Sequence, residues 1–288
     1  MRVTNSMLRD AALRSLSANV NALARIHEQV STTKRLNRPS DDPAQVREAV
    51  KLRDGLAELE QFVRNIDTAG RTLTAAETAI GTAGEAIQRA RELAIQGAND
   101  TVSASDRQAM AQEIEQIAGQ LVQLAGTKLA DSYIFSGFRT DLPPYTAPTG
   151  AYQGDAGAIM ARIAPGTTVQ VNLPGDQLFG PALAALVQLQ AELTAGTRVS
   201  SGTIAALDAG QAVLLAGRAT IGARQNRLDG TKAELEQATL AGTKLLSELE
   251  DADLTAAISA LSERQATYEA ALRVNARILQ RTLIDELR

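Results

Sequence analysis

Apolar residues recur in alternating steps of three and four at both ends of the chain. Near the N-terminus the series is Leu13, Leu16, Val20, Leu23, His27 and Val30; near the C-terminus it is Leu254, Ile258, Leu261, Gln265, Tyr268, Leu272, Asn275 and Leu279. This spacing places one side chain per half-heptad on a single seam of an α-helix, the pattern of a coiled coil. A lone helix of this length is marginal in water, because nucleation is costly and the stripe stays wet. Each Leu or Ile left outside a core forgoes about 1.5–3 kcal/mol. The two terminal seams are therefore expected to pair with each other and with other chains.

Proline divides what lies between. Pro39 and Pro43 form one cluster, and Pro143, Pro144, Pro148, Pro165, Pro174 and Pro181 form another. The first proline-free stretch opens with Asp42 as helix cap, Pro43 at the first helical position and Gln45 at capping-box spacing. Its seam is predicted as Leu52, Leu56, Leu59, Val63, Ile66, Gly70, Leu73, Glu77, Ile80, Gly84 and Ile87, with Gly70 and Gly84 admitting a neighbouring backbone. A second helix starts at Ser103 and carries Met110, Ile114, Ile117, Leu121 and Leu124. The third covers about 203–249 through Ile204, Leu207, Gln211, Leu214, Ile221, Leu228, Leu235 and Leu246. At 1.5 Å per residue these span roughly 80, 40 and 70 Å, so the central segment has to climb back along the first helix. Strand structure is expected from Tyr133-Ile134-Phe135-Ser136-Gly137-Phe138 and over Thr167–Leu173, where apolar residues alternate, with a short helix over about 182–195.

Composition agrees with a helical assembly. The 288 residues are 44% hydrophobic and 22% charged but only 3% aromatic, and most of the aromatics fall in the second proline cluster. A net charge of −4 argues against nucleic acid as the main partner. There is no unbroken run of eighteen apolar residues, so no membrane insertion is expected. The opening Met1-Arg2-Val3-Thr4-Asn5-Ser6 lacks the apolar core of a secretory signal. The absence of cysteine excludes disulfides, thiolate metal sites and thiol nucleophiles.

Candidate chemistry is sparse. His27, the single histidine, lies in the N-terminal seam and reads as packing or interface. Glu248, Glu250, Asp251 and Asp253 cluster, but without the spacing of a calcium loop; they read as a solvated helix turn. Asp41 and Asp42 are adjacent and point differently, in a context that indicates a cap. No glycine-rich loop joins a strand to a helix. No enzyme activity, metal or cofactor is expected. Residues 1–43 hold seven basic against four acidic residues and 250–288 five against seven, a balance that favours pairing of the two ends.

Several segments together resemble the family of bacterial flagellar hook-associated protein 3. They are Met1-Arg2-Val3-Thr4-Asn5-Ser6-Met7, then Asn37-Arg38-Pro39-Ser40-Asp41-Asp42-Pro43, then Arg89-Ala90-Arg91-Glu92-Leu93-Ala94-Ile95-Gln96-Gly97-Ala98-Asn99. Tyr133-Ile134-Phe135-Ser136-Gly137, Asn172-Leu173-Pro174-Gly175-Asp176, Gly222-Ala223-Arg224-Gln225-Asn226-Arg227-Leu228 and Glu250-Asp251-Ala252-Asp253 follow in order. Flagellin is the near relative, but flagellins usually read Ser-Ala-Ala-Asp-Asp-Ala where this chain has Arg38 to Pro43. Thr33 stands where the family more often has Gly before the Lys-Arg pair, and Leu283 to Arg288 is more polar than the usual end.

The resemblance implies a mainly α fold: an elongated flagellin-like helical rod with paired terminal coiled-coil helices and a small inserted β-containing domain. Residues 1–43 with 250–288 would be the terminal assembly domain, 44–131 with 200–249 the helical rod, and 132–199 the outer insertion with a short helix. It further implies a structural adaptor, exported without a cleaved signal peptide to the extracellular flagellum. That adaptor joins the hook, through hook-associated protein 1, to the flagellin filament. The partners implied are further copies of itself, hook-associated protein 1, flagellin and an export chaperone. The assembly interface is expected at Leu13, Leu16, Val20, Leu23 and Val30 with Leu254, Ile258, Leu261, Tyr268, Leu272 and Leu279. Asn37, Arg38, Pro39, Ser40, Asp41, Asp42 and Pro43 form the domain-junction turn. A flagellin filament subunit is the alternative, and a cytosolic coiled-coil adaptor the reading from a different class.

Overall fold

The computed structural model describes the backbone of residues 5–286 and the side chains of residue 7 and residues 10–276. The fold is mainly α, with a small central β region. In chain order the elements are α1 (Asn5–Thr32), α2 (Pro43–Gly97), α3 (Ala104–Ala125), β1 (Lys128–Leu129), β2 (Ser132–Tyr133), β3 (Met160–Ala164), β4 (Thr167–Gln170), α4 (Gly175–Thr194), α5 (Ser201–Glu250) and α6 (Leu254–Glu286). Two compact units result. One is Glu58–Ala238; the other joins the described residues up to Ala57 with those from Thr239 onward.

In the unit Glu58–Ala238, α2 buries Phe62, Ile66, Leu73, Ile80 and Ile87, alternating with Ala69, Ala76, Ala83 and Ala90. The facing stripe of α5 is Leu207, Leu214, Ile221, Leu228 and Leu235, one residue every two turns. Buried Thr203 precedes this series, and buried Gly210 and Gly217 lie between its members. The seams predicted from sequence are correct in this seven-residue half and displaced by one residue in the other. Ala69, Ala76 and Ala83 are buried, whereas Gly70 and Gly84 meet nothing within 4 Å. Those two glycines admit no neighbouring backbone, and the close approach occurs instead on α5. A β-carbon at Gly210 would lie 2.9 Å from the Cα of Ala182, and one at Gly217 2.5 Å from Leu178 Cδ1. Polar pairs fix an antiparallel register: Asp67 with Lys232, Thr74 with Gln225, Glu77 with Arg218, and Arg91 with Asp208.

α3 returns beside α2, tied by Arg89 to Glu113 at 2.8 Å. It buries Met110, Ile114, Ile117 and Leu121, and its first turn is capped by Ser103 accepting from the Asp106 N–H. The climb back is made by α4 rather than by strands. The Gly175 N–H donates to the Phe135 carbonyl at one end, and at the other the Arg107 guanidinium donates to the carbonyls of Gly97, Asn99 and Gly196. α4 is twenty residues long and contains Pro181 in its second turn. Proline there removes one backbone bond; burial of Leu178, Phe179, Ala182, Leu183 and Leu186 offsets it, so the helix begins well before the expected 182. Phe135 meets Phe179 edge-on with ring centroids 5.0 Å apart, an arrangement favoured by the ring quadrupoles.

The strands are short. β1 and β2 pair antiparallel over two residues, and the Phe135 region continues as turns instead of strand. β4 lies within the predicted Thr167–Leu173 stretch and pairs antiparallel with β3, which the sequence pattern did not mark. An eighteen-residue window of α5 has a mean hydropathy of 1.2, apolar enough by length and composition to cross a bilayer. Its Leu207-to-Leu235 series, however, belongs to the protein core.

Candidate assembly interface

α1 and α6 pack along each other. Leu16, Leu23, Ile26 and Val30 are half-buried on α1, as are Leu261, Tyr268 and Asn275 on α6. Among the described residues neither helix has a fully buried side chain. Leu13, Val20, Leu254, Ile258 and Leu272 are 40–57% exposed, and His27 is exposed as well. The Leu279 side chain lies outside the described residues. The expected interface residues thus divide into two stripes. One stripe, Leu16, Leu23 and Val30 with Leu261 and Tyr268, is shared between the two helices. The second, Leu13 and Val20 with Ile258 and Leu272, is left to solvent. Two helices packed side by side cover one face of each, so a second apolar stripe has no partner within the pair.

The connections between helices meet at the base of this pair. Thr33 has φ +60°, a left-handed conformation unusual for a β-branched residue. This bend sets Lys34 opposite Asp251 in an antiparallel bridge. The Arg35 N–H donates to the Glu250 carbonyl at 2.6 Å, and the Ala252 N–H donates to the Thr33 carbonyl at 3.0 Å. The Arg35 guanidinium adds a bond to the Leu249 carbonyl at 2.9 Å and one to Gln45 Oε1. Gln45 is thereby spent on Arg35 instead of closing the expected capping box.

Residues 37–43 form a tight turn held by two carboxylates. Asp41 accepts from the N–H groups of Asn37 and Arg38, at 3.1 and 2.8 Å. Asp42 caps α2 by accepting from the Ala44 and Gln45 N–H groups, both at 3.0 Å. Arg38 pairs with Glu28 at 2.8 Å, while Pro39, Ser40 and Pro43 are exposed. The turn and the start of α2 line a groove of about 250 Å³ whose wall includes Leu36, Pro39, Val46, Val50, Arg53 and Glu250.

Glu250 corrects the solvated-turn reading of the acidic cluster. It is 2% exposed, with Lys34 Nζ 2.7 Å from Oε2 and Arg53 Nη2 2.6 Å from Oε1. The Arg53 contact is an ion pair poorly aligned for a hydrogen bond. Burial alone would push this carboxyl up; Lys34 and then Arg53 outweigh burial and hold it below the usual carboxylate range. The neighbouring acids act locally: Asp251 accepts from the Ser247 hydroxyl, and Asp253 caps α6 by accepting from the Ala256 N–H at 3.1 Å. Sequence reasoning missed the Lys34–Glu250–Arg53 triad. Its only signal was that Asn37–Pro43 and Glu250–Asp253 both belong to the segments of family resemblance. Among the described residues no group of three His, Asp or Glu side chains is placed to hold a metal ion.

Residues 3–140 match the bacterial flagellin N-terminal helical region, and residues 204–285 match the bacterial flagellin C-terminal helical region. The chain belongs to the flagellin and hook–filament protein family. Within this family, flagellar hook-associated protein 3 of Escherichia coli is 26% identical over 299 residues, which cover 94% of each protein. A flagellin of Halalkalibacterium halodurans is 27% identical over 244 residues, 84% of this chain and 83% of that one. The crystal structure of Bacillus cereus FlgL shares the fold, with a TM-score of 0.62 at 24% identity over 68% of this chain and 99% of that one. The two family regions bracket residues 141–203, which hold β3, β4 and α4.

Proposed function

We propose that the chain is the hook–filament junction subunit of a bacterial flagellum. In that role it joins the hook, through hook-associated protein 1, to the first flagellin subunits. The observation that carries this reading is the match to hook-associated protein 3 along 94% of both proteins. The Arg38 to Pro43 segment, with prolines where flagellins usually carry alanine, points the same way. The mechanism is geometric. The shared stripe of α1 and α6 holds the two ends of one chain together, and the outer stripe (Leu13, Val20, Leu254, Ile258 and Leu272) docks on other subunits. Burying such residues at about 25 cal/mol per Å2 supplies the driving force for assembly. The protein works outside the cell, reaches its place through the flagellar export channel, and is shielded beforehand by an export chaperone.

A flagellin role is the second reading, favoured by the 84% coverage against the Halalkalibacterium halodurans protein. Immunogold labelling of isolated flagella separates the two. The junction role predicts label in one short zone at the hook–filament boundary, and a null mutant that sheds flagellin into the medium without building filaments. Label along whole filaments would establish the flagellin role, and label confined to the cytosol would refute both.

A further inference from the structure

The α1–α6 pair is joined to the rest of its unit by two connectors only, residues 33–42 and residues 251–253. These connectors do not run independently. The Lys34–Asp251 bridge, the Arg35 N–H on the Glu250 carbonyl and the Ala252 N–H on the Thr33 carbonyl zip one to the other. Beneath the zip lies the carboxylate of Glu250, with one cation from each side: Lys34 from the first connector and Arg53 from α2. We propose that this clasp is a conformational latch with Glu250 as its keystone, so that the terminal helix pair is released or held as one element.

The physical reason is the asymmetry of buried charge. The buried member is the carboxylate: the Glu250 side chain is 3% exposed against 42% for Lys34 and 51% for Arg53. It is stable under cover with both cations in place and draws water into the site when it loses one of them. The α5–α6 connector is only three residues long, so any movement that hydrates Glu250 also shifts Ala252 and the start of α6. Thr33 and Lys34 sit on the same zip, so α1 shifts with it. Neither connector opens alone. The latch also sets the register of the shared stripe, since Val30 and Ala257 lie about one turn from its two hydrogen-bonded connectors. A terminal pair that detaches as a whole suits a protein whose ends must change partners. The latch itself rests on this chain's own geometry, whichever position in the flagellum the chain takes.

Amide hydrogen exchange on the full-length protein tests this. In Glu250→Gln the amides of Arg35 and Ala252, and those of α1 and α6, should exchange faster together by roughly a hundredfold. Those of Leu121 in α3 and Leu186 in α4 should keep their rates. Lys34→Met, which removes one cation and leaves Glu250 in place, should give the same pattern and serves if the first variant does not fold. Unchanged exchange at Arg35 and Ala252, acceleration of α1 without α6, or equal acceleration in α3 and α4 would each overturn the latch.

Discussion

Thr33 bends the chain at φ +60° and, from that bend, its carbonyl accepts the Ala252 N–H at 3.0 Å. A branched side chain in the left-handed region costs about 1–2 kcal/mol, and the family more often places glycine there. Thr33→Gly is expected to relieve the strain, less the extra entropy that glycine gives the unfolded chain. The net expectation is a gain of about 0.5–1 kcal/mol, read as slower hydrogen exchange at Ala252. Faster exchange there would show that the Thr33 side chain holds the turn.

Gly210 and Gly81 look alike in sequence and should behave oppositely. A side chain at 210 would press on the backbone of Ala182, which cannot swing away. Gly210→Val should destabilise the unit Glu58–Ala238 by at least about 1–3 kcal/mol. Around Gly81 nothing lies within 4 Å, so Gly81→Ala should gain about 0.5–1 kcal/mol from helix propensity alone. Urea titration followed by circular dichroism measures both.

Leu261 and Leu272 separate the two stripes of α6. Leu261 is half-buried toward α1 and Leu272 is exposed. Leu261→Asp should loosen the α1–α6 pair within the single chain, visible as faster exchange along both helices. Leu272→Asp should leave those rates unchanged and, on the proposed docking of the outer stripe on other subunits, abolish filament formation by placing a charge in that contact. Gln237→Asp, on an exposed face of α5, should leave both rates and filaments intact. Loss of motility from all three alike would remove the distinction.

Acid should act on the start of α5 through Glu192. Its carboxylate accepts from the Ser200 N–H and from the hydroxyls of Ser200 and Thr203, at 2.8–2.9 Å. Burial pushes the group up, but these bonds outweigh it and hold the folded-state pKa below the ordinary 4.5. A depressed carboxyl stabilises the fold above its unfolded pKa and loses that contribution as pH falls through the folded value. Stability should therefore decline below about pH 4.5, and Glu192→Gln should flatten part of that decline. An unchanged slope in thermal melts across pH 2.5–6 (a range of roughly two units either side of the usual carboxylate pKa) would assign the acid sensitivity elsewhere.

Sequence alone determined the long helices and their approximate ends, the α3 seam, and half of the seams on α1, α2, α5 and α6, but not the start of α4. Leu16, Leu23 and Val30, the Ile66-to-Ile87 series, Leu207 to Leu235, and Leu261 with Tyr268 recur every seven residues, and large apolar side chains at that period can only mark a helical face. The cap at Asp42, the turn at 37–43 and the family resemblance were equally legible, because they depend on neighbours in the chain. Tertiary structure decided the other half of the seams on α1, α2, α5 and α6. A residue three steps on and one four steps on are both compatible with a heptad, and the choice falls to Ala69 over Gly70, Gly210 over Gln211, and Ala257 over Ile258. Small residues bury too little area to announce themselves, yet they win those positions because a neighbouring helix must come close. The residues beside them are turned outward, whether as small as Gly70 or larger, and on α1 and α6 that leaves Leu13, Val20, Ile258 and Leu272 as a second apolar stripe. The same limit hid the clasp, since nothing local to Lys34, Arg53 or Glu250 indicates that 216 positions of chain separate two ends of one ion pair.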